Sequence, residues 1–299
     1  MIVVVSIACI IRGFELFCSA KQYQISMKTP LTLSFLIATT FFFYSCTKNA
    51  NSNEGTELQS FKLTFKDSLL VFYHSYERDA DNKIISIKDS NKASVLIQTL
   101  EYGANGKASR INMSQDGGDV TYYFEFEYNP NGTIRKRLTF PAAGAIGADA
   151  DYNSYAYDGA GHLTIDSLFS RGSGSTCELF AVATFQYTGS NVTEAAYYEV
   201  VSGSLELKRR TKFEYDNALN PLKNLENDYS YAGAITDIYG ITEVSENNVL
   251  KEYTAIGNGP YEVGETYTYQ YNSNNYAWKV KQEIITPTKP KFELEYFYQ

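Results

Sequence analysis

A tyrosine that ends an apolar run and opens a polar turn recurs down this chain at a nearly constant interval. In FEYNPNGTI (126–134) the aromatic run ends at Tyr128, the turn closes on Gly132, and a new apolar run begins. Aligning the chain on that tyrosine gives anchors at Tyr76, Tyr102, Tyr128, Tyr157, Tyr187, Tyr215, Val244, Tyr271 and Tyr296, spaced 25 to 30 residues apart. Self-similarity at a fixed period in the range of roughly 20–50 residues is the mark of a structure built by repeating one supersecondary unit. Val244 marks one degenerate copy.

Within each copy the apolar residues alternate. Val120, Tyr122, Phe124, Phe126 and Tyr128 share one face, with Thr121, Glu125 and Glu127 on the other, which is the period of a half-buried strand. Four places after the anchors stand Gly106, Gly132, Gly161, Asn191, Asn248 and Asn275. Gly and Asn tolerate the positive φ that a tight hairpin needs, so these six read as turn residues. Each copy is then a strand, a tight turn and a returning strand. Only 7 prolines interrupt the chain, and 26 tyrosines favour strands. The expectation is all-β: an up-and-down antiparallel meander of about 16 strands with a period near 28 residues, forming a curled or barrel-like sheet.

The N-terminus supplies an address. Residues 27–45 read as a secretion signal, with Lys28 before an uncharged apolar stretch too short to span a bilayer. It runs into Phe43-Tyr44-Ser45-Cys46, which resembles a lipobox, so Cys46 is the expected lipidated residue. Residues 46–59 are a polar tether, residues 60–299 a single β-hairpin-repeat domain, and residues 1–26 an upstream extension outside the translated protein, with Met27 the expected start. Removing residues 1–45 leaves 23 cations against 33 anions. That balance argues against a nucleic-acid partner. Of the four cysteines only Cys177 then remains free of lipid within the domain, so no internal disulfide is expected, and Cys177 reads as a buried thiol.

The turn sequences YDGAG (157–161), YNPNG (128–132) and YDNAL (215–219) resemble the tyrosine–aspartate repeat. With the lipobox and the longer period, the chain resembles Bacteroidota envelope lipoproteins of unknown function built from such hairpins and described as porin-like. The resemblance covers about residues 60–299. It implies an outer-membrane, lipid-anchored location and a binding or scaffolding role without catalysis, the partner being a glycan or an envelope protein.

A membrane-spanning pore and an envelope hydrolase are the competing readings. Against the pore, strict alternation in TIRKRLTF puts Lys136 on the face of Ile134 and Leu138. In VLKEYTAI it puts Lys251 with Val249 and Glu252 with Leu250, which no lipid-facing wall favours. For the hydrolase, Glu125/Glu127 and Glu293/Glu295 have the i, i+2 separation that two glycosidase carboxylates require, but the same spacing describes any solvated strand face. His74 and His162 have no ligand-spaced partners, and Asp79-Ala80-Asp81-Asn82 reads as a turn, not a calcium loop. Neither cofactor nor metal is expected. Strands with aromatics on both faces point to Tyr123, and to one of Tyr197 and Tyr198, as surface aromatics. Asp67-Ser68-Leu69 and Asp166-Ser167-Leu168 resemble Bacteroidota O-glycosylation acceptors, with Ser68 and Ser167 as the modified residues.

Overall fold

A computed structural model describes residues 55–66, 70–141, 151–171, 176–223, 244–284 and 291–299. Cys46, Ser68, the N-terminal extension, the signal segment and most of the tether lie outside the described residues. Sixteen strands follow one another. They begin with β1 (Leu58–Phe65), β2 (Val71–Arg78), β3 (Ile84–Ser90), β4 (Val95–Tyr102), β5 (Ala108–Gln115) and β6 (Val120–Tyr128). Next come β7 (Ile134–Pro141), β8 (Asp151–Tyr157), β9 (Leu163–Arg171), β10 (Cys177–Thr188) and β11 (Asn191–Val201). The last are β12 (Ser204–Leu219), β13 (Asn247–Ile256), β14 (Glu262–Tyr271), β15 (Ala277–Ile284) and β16 (Phe292–Tyr298). Every strand pairs antiparallel with its chain neighbours, and β1 pairs with β16, so the meander closes into a barrel without an open edge.

The repeated turn has one mechanism. In the loops after Arg78, Tyr102, Tyr128, Tyr157 and Tyr271, the fourth residue's N–H bonds back to the first residue's carbonyl, and the first N–H bonds to the fifth carbonyl. The fourth residue is left-handed in each: Asn82, Gly106, Gly132, Gly161 and Asn275 have φ between 64° and 89°. The Asp or Asn after the anchor sets the loop. Asp79 Oδ1 accepts from Asp81 and Lys83, Asp158 Oδ1 from Ala160 and His162, and Asn272 Oδ1 from Asn274 and Tyr276. The side chain thus substitutes for a backbone turn bond. This holds Asp158 below the usual carboxylate range, chiefly through the His162 N–H.

Two of the six expected turn residues do something else. Asn191 opens β11 after a two-residue turn in which Gly189 takes φ 60° and Asn191 is not left-handed. Asn248 lies inside β13. Both meet the start of β13, just after the sequence between β12 and β13 breaks the repeat. There Asn191 bonds Asn247 through both its amide groups, while Asn248 donates to Asp216. They clamp the base of an insertion instead of pinning a hairpin. Val244 is buried there, 4% exposed.

The turn also creates a bulge. Tyr128 pairs with Ile134, but Glu127 pairs with Lys136, so Arg135 is extra. The same skip follows Ile84, Ala108, Leu163, Val192, Val249 and Ala277. It changes which side chains face inward. Ile134 and Arg137 share the interior while Lys136 joins Leu138 on the outer wall, contrary to the strict alternation expected from TIRKRLTF. By the same skip Val249 and Glu252 face inward and Lys251 outward.

Five tyrosines at or beside the anchor positions tie their hairpins to the preceding ones. The hydroxyls of Tyr102, Tyr128, Tyr215 and Tyr269 donate to the carbonyls of Ile84, Ala108, Val192 and Val249 at 2.6–2.7 Å, and Tyr298 bonds Ala277 in the same way. Those carbonyls belong to residues within the first three of each returning strand, all nearly inaccessible. Two anchor positions are displaced from the sequence alignment. Arg78 takes the place expected of Tyr76, and Tyr298 that of Tyr296. Between these rings lies one apolar core, including Leu63, Ile111, Phe124, Phe213 and Leu294.

Candidate functional site

The second inward position of the returning strands is apolar at Ile87, Ile111, Ala195 and Val280, and charged at Arg137, Asp166 and Glu252. All three charges are buried, none more than 8% exposed. Polar residues are expensive at such positions unless bonded, so a chain that keeps them where its own repeat is apolar marks the places where more than packing is encoded.

Three interior polar groups result. Across β7, β8 and β9, Arg137 donates to Asn153 Oδ1 at 2.7 Å and Asn153 donates to Asp166 Oδ1 at 2.8 Å. Burial pushes the Asp166 carboxyl up to about 6, against the pull of the Asn153 bond and the Arg137 charge. On β2, β3 and β4, His74 Nδ1 bonds Asp89, whose other oxygen accepts from Gln98 at 3.2 Å. Phe61 stacks on the His74 ring at 4.4 Å. On β13, β14 and β15, Glu252 stands directly opposite Glu265, and Tyr267 and Gln282 both bond the Glu265 carboxylate. None of these groups was legible in the sequence, because each joins strands whose register depends on the bulges. Among the described residues no group of three His, Cys, Asp or Glu converges as metal ligands.

The outer wall is different. Ion pairs run across it: Lys62–Glu295–Lys279–Glu293, Arg110–Glu125, Arg135–Glu127, Lys212–Glu194 and Lys251–Glu214. The carboxylate pairs considered for hydrolysis are therefore outward, each carboxylate beside a cation. Between β5 and β9 the wall carries two aromatic columns. Arg110 lies 4.1 Å from the Tyr123 ring centre, and Tyr123 stacks on Phe140 at 5.0 Å. Lys136 lies 3.9 Å from the Tyr152 ring centre, and Tyr152 stacks on Phe169 at 4.5 Å.

Tyr123 is thus an outward aromatic with both ring faces covered. Tyr198 faces outward opposite Val182 and Leu207, while Tyr197 faces inward opposite Ala183. Ser167 sits mid-strand on the outer face, but the Asp166 of its motif is turned into the barrel and 5% exposed, so an enzyme reading Asp-Ser-Leu would have to open β9. Cys177 begins β10 opposite Arg171, outside any disulfide and half-buried, not fully buried. His162 stacks on Tyr187 at the turn rim.

No protein-family model matches the chain, and no curated protein matches it. Solved structures do. A porin-like protein from Bacteroides uniformis superposes with a TM-score of 0.52 at 11% identity, over 82% of this chain and 99% of its own. A porin-like protein from Bacteroides vulgatus gives 0.50 at 12% identity, over 81% and 98%. The likeness is one of fold, and it extends over nearly the whole barrel.

Proposed function

We propose that the chain is a lipid-anchored barrel of the outer membrane that neither conducts nor catalyses, and that works as a scaffold or binding module. One observation carries this reading: the apolar core fills the inside, and the outer wall bears the ion-pair ladders. A barrel that spans lipid has the opposite arrangement, and each Lys or Arg at the bilayer midplane would cost roughly 2–4 kcal/mol. Attachment through Cys46 and the polar tether supplies membrane association without spanning. For the partner, the covered faces of Tyr123 and Tyr152 leave ring edges and aliphatic neighbours outward, a surface better suited to a protein than to stacking on a sugar.

The test is fractionation of Cys46→Ala. The variant is expected in the soluble fraction, without detergent, with unchanged strand content by circular dichroism. Retention in the membrane would favour the second reading, a spanning pore. The closed antiparallel barrel and the likeness to porin-like folds favour that pore. Stepwise conductance of the purified wild type in planar bilayers would establish it.

A further inference from the structure

We propose that the outward face of the β11–β12 ribbon, formed by Tyr198, Val200, Leu205 and Leu207, lies in the interface of a lipid bilayer and gives the barrel a membrane contact of its own. The ribbon leaves the wall. β10 pairs with β11 as far as Ala181–Glu199, and β13 meets β12 from Arg209–Ile256. Beyond those rungs Val200 pairs with Leu205 and Val201 with Ser204, and Ser202 and Gly203 close the hairpin at φ 51° and 81°.

A ribbon outside the wall has no core to serve, but this one alternates as if it had. Tyr198, Val200, Leu205 and Leu207 share the outward face, while Glu199 stands opposite Glu206 on the reverse. Leu205 is 49% exposed. Phe180, the extra residue of the β10 bulge next to Ala181, is 45% exposed. Amphipathic patterning that no core explains marks a surface made for another medium or molecule.

The order of chemistry along the face selects the occupant. Its rungs run Val200–Leu205, Tyr198–Leu207, Ala196–Arg210 and Glu194–Lys212. Aliphatic side chains hold the tip, an aromatic with a hydroxyl comes next, and cations stand behind. That is the order met on passing from hydrocarbon through the interface to the headgroups. From Val200 to Ala196 the strand rises about 13 Å. In a tilted ribbon Arg210 then stays among the headgroups while the tip reaches the acyl boundary, at a depth of about 5–10 Å.

Charge agrees with this placement. Arg210 donates to the Gly257 and Gly259 carbonyls and lies 4.8 Å from the Tyr261 ring centre, with no carboxylate paired to it among the described residues. Lys212 is balanced by Glu194 at 3.6 Å. An uncompensated cation behind the apolar tip and two acids on the reverse suit anionic headgroups on one side and water on the other. The ribbon's unpaired edges limit the depth, because free N–H and C=O groups are costly in hydrocarbon.

This contact rests on the membrane location proposed above, so the test reads location and ribbon separately. The lipidated protein carries Trp278→Phe, which removes its only tryptophan, and Leu205→Trp as reporter. It is mixed with vesicles of phosphatidylcholine and phosphatidylglycerol, and sedimentation reports location. Emission from residue 205 is expected to shift to the blue on the vesicles and to be quenched at least threefold by lipids brominated in their acyl chains. Ile256→Trp is the control. Ile256 is 76% exposed at the same end, but its partner Arg209 is also paired with the inward Tyr197, so it belongs to the other face and should be quenched little. Val200→Trp repeats the measurement on the same rung if Leu205→Trp fails to fold. Protein that sediments with the vesicles but is unquenched at the ribbon overturns this contact alone. Protein that stays off the vesicles overturns both the contact and the proposed location. Equal quenching at residues 205 and 256 also overturns it, since a one-sided contact cannot give that result. A blue shift without vesicles that grows with protein concentration overturns it in favour of a second copy of the chain on the same face.

Discussion

At the scale of single residues, the backbone angle and the buried charge each set a measurable cost. Gly132 has φ 89°, a region where a β-branched residue is strained by roughly 1–3 kcal/mol. A Cβ there would lie 2.9 Å from Lys107 Cε, the movable end of a side chain, so conformation and not crowding dominates. Gly132→Val should lose that much stability in thermal melts, while Gly132→Asn should lose little, since Asn82 and Asn275 already hold the equivalent place. Gly159 is the right control, because a Cβ there meets nothing and its φ is not positive. Gly118, in the connection SQDGGD, is a poorer one, its Cβ falling 3.2 Å from the Gln115 carbonyl. Equal melting temperatures for the Val and Asn variants would refute the turn assignment.

Asp166 gives a second residue-scale prediction. Its carboxyl, ordinarily near 3.8, is raised to about 6 by burial. The folded state therefore holds this proton more tightly than the unfolded one. The associated stability is full below pH 4 and is lost as pH rises through 6, by roughly 3 kcal/mol at about 1.36 kcal/mol per unit. Asp166→Asn removes that loss. The stability of the variant relative to wild type should climb by about this amount between pH 4 and pH 7, read from urea midpoints at each pH. The Arg137 attraction acts only on the ionised carboxylate and is already contained in the raised value, so only the cost of the amide against the protonated carboxyl is a constant offset; a flat difference across the range would show that Asp166 titrates normally.

At the scale of elements, the unit is a hairpin fastened to its predecessor by a tyrosine hydroxyl. Tyr128→Phe removes one such bond, leaving the Ala108 carbonyl to lose a partner where Ala108 is 3% exposed. A cost of about 1 kcal/mol is expected, with faster hydrogen exchange at the turn ends of β5 and β6. Tyr123→Phe, on the outer wall, should be neutral.

The same scale shows what the sequence could and could not reveal. The motif of Tyr, then Asp or Asn, then a left-handed residue was visible because all its chemistry is local. The bulge was not visible, since Arg135 looks like any strand residue until its pairing with β6 is known. Alternation carried straight through it assigns Arg137 and Glu252 to the wrong faces. The interior polar groups, the part of the molecule with most chemistry, were hidden by that single skip. Asn191 and Asn248 misled for other reasons: Asn191 follows a two-residue turn, shorter than the repeated loop, and the insertion before β13 carried Asn248 into a strand, where asparagine serves a clamp as readily as a turn.

At the scale of the whole molecule, the ring exists only because chain ends far apart in sequence meet. Leu63 pairs with Leu294 and Phe65 with Phe292 inside, while Lys62 pairs with Glu295 and Thr64 with Glu293 outside. Phe292, Leu294, Tyr296 and Tyr298 are all buried, so β16 is both a closing strand and four core side chains. Its outward Glu293 and Glu295 meet Lys62 and Lys279, which fixes the register by charge as the apolar face fixes it by shape. Removing residues 291–299 would therefore do more than shorten the sheet. It would open two unpaired edges, β1 and β15, and leave Phe61, Leu63 and Val280 facing a gap. Exposed edges with apolar neighbours associate. The truncated protein should form oligomers in size-exclusion chromatography and lose the sharp thermal transition of the full chain. If it stays monomeric with a cooperative melt only slightly lowered, each hairpin is stabilised by its neighbours alone. The tyrosine ties, not ring closure, would then be what holds the repeat together.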